Sequence, residues 1–587
     1  MTKKILILSL LAVFLLTASA AAELSKTAPI IEHKLIKGDE ALPNVQAYPL
    51  NPGFATESPG LIVGTTYYDY QTNCSSGNRV IICDDGSKYF CWMNLLAWPV
   101  PRHVYHNWMN VDGVLNPNGF EGQVNEDVGA GYTNMDLIYG NRGAIAYHSA
   151  GGANPTNVTL SVDSDLQGFG FFDHYDPPDE IFPHVPGEGI LLWPYIAVDS
   201  NDVIHIMSTE ATTLRLSRMC YCNSTDGGNS WSALQFVDTV MVISSVVDAS
   251  PVSDRVVVGY AKTQDTTKQY NNDIVYVPSE DGTTWDFRHD KVNITNYLDD
   301  NDSLWAYTDM DIIFDYNDYI NVVWTASWES ADGGYYYRTD IYHYSEETEE
   351  INIAVPTHVD SGWYDIQGAW NMPIAKMNLG ASELGGLFMT YTRFDTTDIS
   401  AGGFGNGEIY MVYSYDGGAN WTAPENLTNS PTPGCYPGQC ESDHWSTLAD
   451  VVNDDTLHIL YIEDKDAGGI PQTEGTATEN PVRYLAHWIP TGIDEDNIRP
   501  VNFSLEQNYP NPFNANTVIS FSLQKTAPVT VEVFDITGAK VAMLLNETMA
   551  AGIHEVVWDA SDVASGVYFY KLSTGDVSES RQMVLIK

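Results

Sequence analysis

One short pattern occurs three times in the middle of this chain: Ser224-Thr-Asp226-Gly-Gly228-Asn-Ser-Trp231, Ser279-Glu-Asp281-Gly282-Thr-Thr-Trp285 and Ser414-Tyr-Asp416-Gly-Gly418-Ala-Asn-Trp421. Each reads as a tight turn. The Asp carboxylate accepts turn N–H groups, Gly takes the positive-φ position and Trp packs the turn onto a sheet. A longer period runs around them. Apolar strands closing on a large residue recur as Tyr89-Phe-Cys-Trp92, Ala144-Ile-Ala-Tyr147, Ile204-His-Ile-Met207, Val257-Val-Gly-Tyr260, Asn321-Val-Val-Trp324, Phe388-Met-Thr-Tyr391 and His458-Ile-Leu-Tyr461. The mean step is about 61 residues, long for a repeat but consistent with extended loops. Asp226, Asp281 and Asp416 trail residues 207, 260 and 391 by 19, 21 and 25 positions. The turns therefore keep a nearly constant phase, between the third and fourth strands of a repeat.

These turns resemble the Asp-box of bacterial neuraminidase-type repeats, which closes hairpins on β-propeller blades. The resemblance implies an all-β fold with a propeller over residues 61–489. Seven repeats imply seven blades; six blades with an added sheet is the alternative. The last repeat has a third strand at Val482–Trp488 and then no fourth. Leu61-Ile-Val-Gly-Thr-Thr-Tyr-Tyr68 is expected to supply it, which removes an open edge. Asp-boxes are structural and occur in hydrolases, lyases and binding modules alike. A true sialidase is not expected. That family carries an Arg-Ile-Pro-type segment and three carboxylate-binding arginines, and Val100-Pro-Arg102 is the nearest approach here.

The two ends of the chain speak of export. Lys3 and Lys4 precede the apolar run Ile5–Leu16 and the small residues Ala18-Ser-Ala20, the pattern of a signal peptide over 1–22; a lead segment 23–60 follows. No later apolar run is long enough for a membrane helix. After a linker at 490–502, residues 503–587 begin Phe503-Ser-Leu-Glu-Gln-Asn-Tyr509-Pro-Asn-Pro512-Phe. They continue through two alternating strands, an Asp535-x-x-Gly538 turn and Gly566-Val-Tyr568, to a terminal Lys587. This tail closely resembles the type IX secretion sorting domain. The resemblance implies a small immunoglobulin-like sandwich, a partner in the type IX machinery, and a secreted or outer-surface destination. Seven cysteines suit an oxidising compartment. Cys435 and Cys440, flanking Tyr-Pro-Gly-Gln, are expected to bridge, and two of Cys74, Cys83 and Cys91 to pair.

Charge excludes one class of partner. With 77 acidic against 27 basic residues, the net charge of −50 repels nucleic acid. Chemistry is expected on the face opposite the Asp-boxes, in loops leading into first strands and joining second to third. The aromatics there, Tyr132, Trp193, Trp305, Trp363, Tyr364, Trp370 and Trp445, suit stacking on sugar rings, and Arg393 is a further ligand contact. His148 lies on a second-to-third connection. Asp365, Asp443, His444 and Glu463 are the candidate acid and base groups for glycoside cleavage. Asp299-Asp300-Asn-Asp302 resembles part of a calcium loop, without the Gly and late Glu of an EF-hand. The reading is a secreted module that binds an extracellular polysaccharide or surface glycan. The alternatives are a polysaccharide hydrolase or lyase, and a structural surface protein that mediates protein contacts.

Overall fold

The chain divides into two units, Met1–Ile489 and Pro490–Lys587. The computed structural model describes residues 27–28, 35–36, 58–97, 101–116, 122–125, 129–149, 157–164, 170–179, 190–211, 216–267, 269, 271–297, 304–329, 335–356, 366–453 and 455–489 of the first. Of the second it describes residues 504–505, 508, 511, 513–523, 527–549, 552–561, 563–574 and 577–586. The expected signal peptide, the linker at 490–502, Trp363, Tyr364, Asp365, Asp299, Asp300 and Asp302 lie outside the described residues.

Short alternating runs bounded by Gly, Asp and Asn make this an all-β protein. Among the described residues the only helical turn is Ile470–Gln472. Among the described residues the first unit holds five four-stranded antiparallel sheets and one of nine strands. Divided at its single pairing between Asn272 and Ala306, the nine-stranded sheet gives two further four-stranded repeats, with Thr27–Ala28 added at the edge of the second. Sheet one is Val80–Ile82, Lys88–Asn94, His103–Met109 and Gly122–Gln123; sheet two is Gly131–Ile138, Arg142–Ser149, Asn157–Asp163 and Phe172–Tyr175. Sheet three is Ile190–Val198, Ile204–Ala211, Ser217–Ser224 and Gln235–Val240; sheet four is Ser245–Ala249, Val256–Thr263, Asn272–Ser279 and Val292–Asn293. Sheet five is Leu304–Phe314, Ile320–Glu329, Tyr335–Ser345 and Glu350–Val355; sheet six is Ile374–Ala381, Leu387–Ile399, Gly405–Ser414 and Glu425–Asn426. Sheet seven is Ser442–Leu448, Thr456–Asp464 and Asn480–Trp488, and its outer strand is Leu61–Thr66, paired from Leu61 opposite Tyr484 to Thr66 opposite Asn480. A single pairing, Asn272 with Ala306, joins sheets four and five.

First strands are tied to one another by side-chain carboxylates. Asp136 Oδ2 accepts the Val198 N–H at 2.6 Å, Asp248 Oδ2 that of Phe314 at 2.7 Å, and Asp311 Oδ2 that of Leu379 at 2.7 Å. Backbone bonds join Met135 N to Asn78 O and Ala381 N to Asp450 O. Sheet seven meets sheet one where Asn78 Nδ2 donates to Asp450 Oδ2 and Thr447 Oγ1 to Gly77 O. Asp248, Asp311 and Asp450 line one small cavity with Asn78 and Asn134. Burial pushes the Asp136 and Asp311 carboxyls up to about 7 and those of Asp248 and Asp450 well above their usual range.

A carboxyl whose folded pKa lies above its unfolded value stabilises fully below about pH 4, and that stability is lost as pH rises through the folded pKa. Thermal stability is therefore expected to fall as the pH rises from about 4 through about 7. In Asp136→Asn, which keeps an acceptor for Val198, the fall should be shallower. An unchanged slope in a pH series of thermal melts would show that this carboxyl does not carry the effect.

The three Ser-x-Asp-Gly turns link third to fourth strands. Asp226 Oδ1 accepts Ser230 N at 2.7 Å, Asp281 Oδ1 accepts Thr284 N at 2.6 Å, and Asp416 Oδ1 accepts Asn420 N at 2.9 Å. Each turn also packs on the preceding sheet. Gly418 has φ +83°, and a Cβ there would lie 1.9 Å from the His343 ring, which meets Trp421 edge-on at 5.3 Å. Asp416→Ala is expected to cost about 1 kcal/mol in urea unfolding, the net value of the turn bonds it removes. A loss above about 3 kcal/mol would mean that the turn does more than close a hairpin.

Cys435 and Cys440 are bonded, with Cα atoms 5.1 Å apart. The expected pairing among Cys74, Cys83 and Cys91 is corrected: all three are free and buried. Cys91 sits in mid-strand beside Arg79, Cys83 lies past the end of the neighbouring strand, and Cys74 belongs to a different apolar cluster.

The second unit holds two antiparallel sheets. One has Ser504–Leu505, Asn516–Leu523 and Gly552–Asp559; the other has Lys540–Met549, Ala527–Asp535, Gly566–Thr574 and Val577–Leu585. They share a core that includes Ile519, Phe521, Val531, Trp558, Tyr570 and Leu572. Gly538, at φ +81°, closes the Asp535 turn with its N–H on Asp535 O.

Candidate ligand site

The first strands of sheets two, three, five, six and seven lose register near their start. The breaks fall between Gly131 and Asn134, Leu192 and Tyr195, Ala306 and Met310, Ala375 and Asn378, and His444 and Thr447. Four of these bulges hold a bulky residue at positive φ: Tyr132 (56°), Trp193 (51°), Lys376 (55°) and Trp445 (56°). Trp370, just ahead of the sixth first strand, has φ 65°. Left-handed backbone at non-glycine residues costs about 1–3 kcal/mol each and persists only where the surroundings enforce it. Because strands alternate in direction, these bulges lie at the end of each sheet away from the Asp turns. Tyr132, Trp193, Trp370 and Trp445 meet in one apolar cluster with Tyr68, Tyr70 and Tyr307.

One side of the cluster is built on Arg102. Its Nη1 donates to Tyr68 Oη at 3.1 Å, its Nη2 lies 3.3 Å from His148 Nε2, and its guanidinium covers the Tyr132 ring at 4.8 Å. The His148 ring stacks on Tyr132 at 5.1 Å, and its Nδ1 accepts the Trp193 backbone N–H at 3.2 Å. A neutral imidazole has one acceptor nitrogen, so it satisfies only one of these two donors at a time. His148 sits directly opposite Gly131 on the neighbouring strand, which is why the Tyr132 bulge brings ring against ring.

The other side is built on Lys376. Its Nζ donates to Asp309 Oδ1 at 2.8 Å and lies 5.4 Å from the Trp445 ring. His444 stacks on Trp445 at 4.2 Å, and Tyr70 meets Trp445 edge-on at 4.9 Å. Burial, then Lys376 and Arg79, hold the His444 imidazole well below its usual pKa. Arg79 donates through Nη2 to Trp445 O and through Nη1 to Gln71 Oε1, and burial lowers it to about 10.

The residues expected from sequence are distributed as follows. Trp193 and Trp445 join the cluster, with His444 beside them. They lie within first strands and not in the loops before them. Asp443 and Glu463 face each other on adjacent strands of sheet seven. Both are buried, Glu463 beneath Lys465 and Arg483, Asp443 with Ser430 Oγ on its Oδ2 at 2.7 Å. Burial, then Glu408 and Glu463, raise the Asp443 carboxyl. Glu441, buried and beside Glu463, is pushed up to about 7. Trp305 packs on Tyr297 at 6.2 Å, outside the cluster. Arg393 is part-exposed over Tyr410, 3.9 Å from Asp395. Lys376, Asp309 and Arg79 were not singled out by sequence. The available signal was a lysine inside the apolar strand Ile374-Ala-Lys-Met-Asn-Leu379.

Comparison with known proteins adds one family. Residues 507–587 match the secretion system C-terminal sorting domain, so the tail is that domain and marks the chain for secretion. No curated protein sequence matches the chain. Among solved structures, a family 25 polysaccharide lyase, an ulvan lyase with bound saccharide, is 9% identical over 69% of this chain and 97% of its own, at a TM-score of 0.41. A protein of unknown function from Dyadobacter fermentans is 11% identical over 60% and 99%, at 0.34. The family 93 α-L-arabinofuranosidase of Fusarium graminearum, with arabinobiose, is 13% identical over 61% and 92%, at 0.33. No helix among the described residues is long and apolar enough to cross a membrane.

Proposed function

We propose that the first unit is a closed seven-bladed β-propeller with Asp-boxes, and the second an immunoglobulin-like sorting sandwich read by the type IX machinery. On this reading the secreted propeller engages an extracellular glycan through the bulged ends of its first strands. The ring is supported by the bonds that join sheet seven to sheet one and by the outer strand Leu61–Thr66. The ligand reading is carried by one observation. Four equivalent bulges hold Tyr132, Trp193, Lys376 and Trp445 at positive φ around shared aromatic faces. Indole and phenol faces stack on sugar rings, and strained backbone concentrates where a ligand is met. Arg102 and Arg79 place positive charge at this end of a chain of net charge −50, with Lys376 matched by Asp309, which favours a sugar bearing carboxylate or sulfate.

Cleavage is the second reading, and the Arg102–His148–Tyr132 group favours it. A guanidinium can neutralise a uronate carboxylate while the imidazole or phenol takes the neighbouring proton, the requirement of eliminative cleavage. Asp443, Glu441 and Glu463 keep hydrolysis as a further route, with carboxyls pushed apart in pKa.

The test is a screen of the intact protein on polyuronates, sulfated polysaccharides and neutral glucans, read by gel retardation, unsaturated products and reducing ends. Retardation by polygalacturonate without products supports binding, and unsaturated products support a lyase. Neither signal on any acidic polysaccharide would overturn the glycan reading and leave the structural surface protein.

A further inference from the structure

The bulged cluster is covered by the chain itself. Ile36, from the lead segment ahead of the first sheet, is fully buried and belongs to the same apolar cluster as Tyr68, Tyr132, Trp193 and Trp370; Leu35 packs against it. The Ile36 carbonyl accepts the Trp193 indole N–H at 3.2 Å and the Asn73 Nδ2–H at 2.9 Å. Its own N–H donates to Asn73 Oδ1 at 2.9 Å. Asn73, buried in the connection from Leu61–Thr66 to Val80–Ile82, thus clasps one residue of the lead on both sides. Farther back, Thr27 and Ala28 pair with Tyr336 and Tyr335 on sheet five.

The indole N–H is the polar end of a residue held at positive φ in the cluster. A sugar hydroxyl is what a glycan would present to it, and the Ile36 carbonyl supplies the same kind of acceptor. The methyl groups of Ile36 meanwhile fill space beside rings that would otherwise stack on a ligand. We infer that the lead segment at Leu35–Ile36 is a built-in plug of this site, and that its displacement or proteolytic removal exposes Trp193 to ligand. The inference rests on the ligand reading above. Among the described residues the lead is held by three hydrogen bonds through Ile36 and by the two-residue pairing of Thr27–Ala28.

The test compares the full chain with a chain starting at Ser58 and with full-length Ile36→Asp, which sets a charge in the apolar seat. Hydroxyl-radical footprinting, read as oxidation of the Trp193 peptide by mass spectrometry, needs no ligand. Trp193 oxidation is expected to rise about fivefold or more in both variants. The apparent affinity for polygalacturonate should rise about tenfold if the plug is seated nine-tenths of the time, because apparent affinity scales with the competent fraction. Unchanged Trp193 oxidation in folded variants overturns the plug. So does loss of cooperative unfolding in both variants, since the lead would then be part of the core. Faster oxidation with no polysaccharide bound by any form supports the plug and sinks the ligand reading.

Discussion

Replacing Lys376 by methionine is expected to remove about 3–5 kcal/mol of stability, the usual cost of stranding one partner of a buried ion pair. Lys376 is 0% exposed and Asp309 2%. Asp309 takes Lys376 Nζ on Oδ1 at 2.8 Å and the Lys376 backbone N–H on Oδ2 at 2.9 Å. Methionine keeps the length of the side chain and removes the charge, so the loss reports electrostatics more than packing. The double variant Lys376→Met with Asp309→Asn should recover most of the loss, because no carboxylate is then left uncompensated. Urea unfolding of the single and double variants checks this. A single-variant loss below about 1 kcal/mol would mean that Asp309 is neutralised by other means.

Arg102→Ala is expected to weaken polygalacturonate binding by about 2 kcal/mol or more, roughly thirtyfold, the scale for truncating a buried charged hydrogen-bonding group at an interface. The guanidinium reaches Tyr68 Oη and His148 Nε2 together while lying over Tyr132. A lysine ammonium reproduces the charge but not the fork, so Arg102→Lys should regain only part of the affinity. His148→Gln separates the two readings of the site: if the protein is a lyase, turnover falls while binding survives. Retention isotherms and product formation give both numbers. Full affinity in a folded Arg102→Ala protein would remove this residue from the site.

Much of the architecture could be read from the chain because it is local. The Asp turns close on residues two to four positions away, as Asp416 does with Asn420. The tail strands alternate in plain view. Pairing of Leu61–Thr66 with the last strand of sheet seven was also foreseeable, since Asn480–Trp488 otherwise ends with a bare edge. The site was less legible. A bulge is a property of register between two strands, and no single strand's sequence reports it. Tyr132, Trp193 and Trp445 therefore read as loop residues ahead of strands, whereas they sit inside them. The Arg102–His148 contact joins sheets one and two, and Lys376–Asp309 joins sheets six and five; both depend on neighbours that periodicity does not name. Asp443 and Glu463 were expected, with Asp365, as carboxylates meeting across the axis, whereas these two are neighbours on adjacent strands of one sheet. What sequence could not provide was the company they keep, Lys465, Arg483 and Glu441.

The strand Leu61–Thr66 also sets an order of events. Gly60 and Arg483, 423 residues apart, share a hydrogen bond beside that pairing. During synthesis Leu61–Thr66 emerges ahead of every strand of the seven sheets except Thr27–Ala28, and it waits for Asn480–Trp488, almost the whole domain behind it. Contacts so distant along the chain make folding slow. The seam therefore closes only after Asn480–Trp488 has been made, and a chain that stops short of that strand leaves Leu61–Thr66 without its partner.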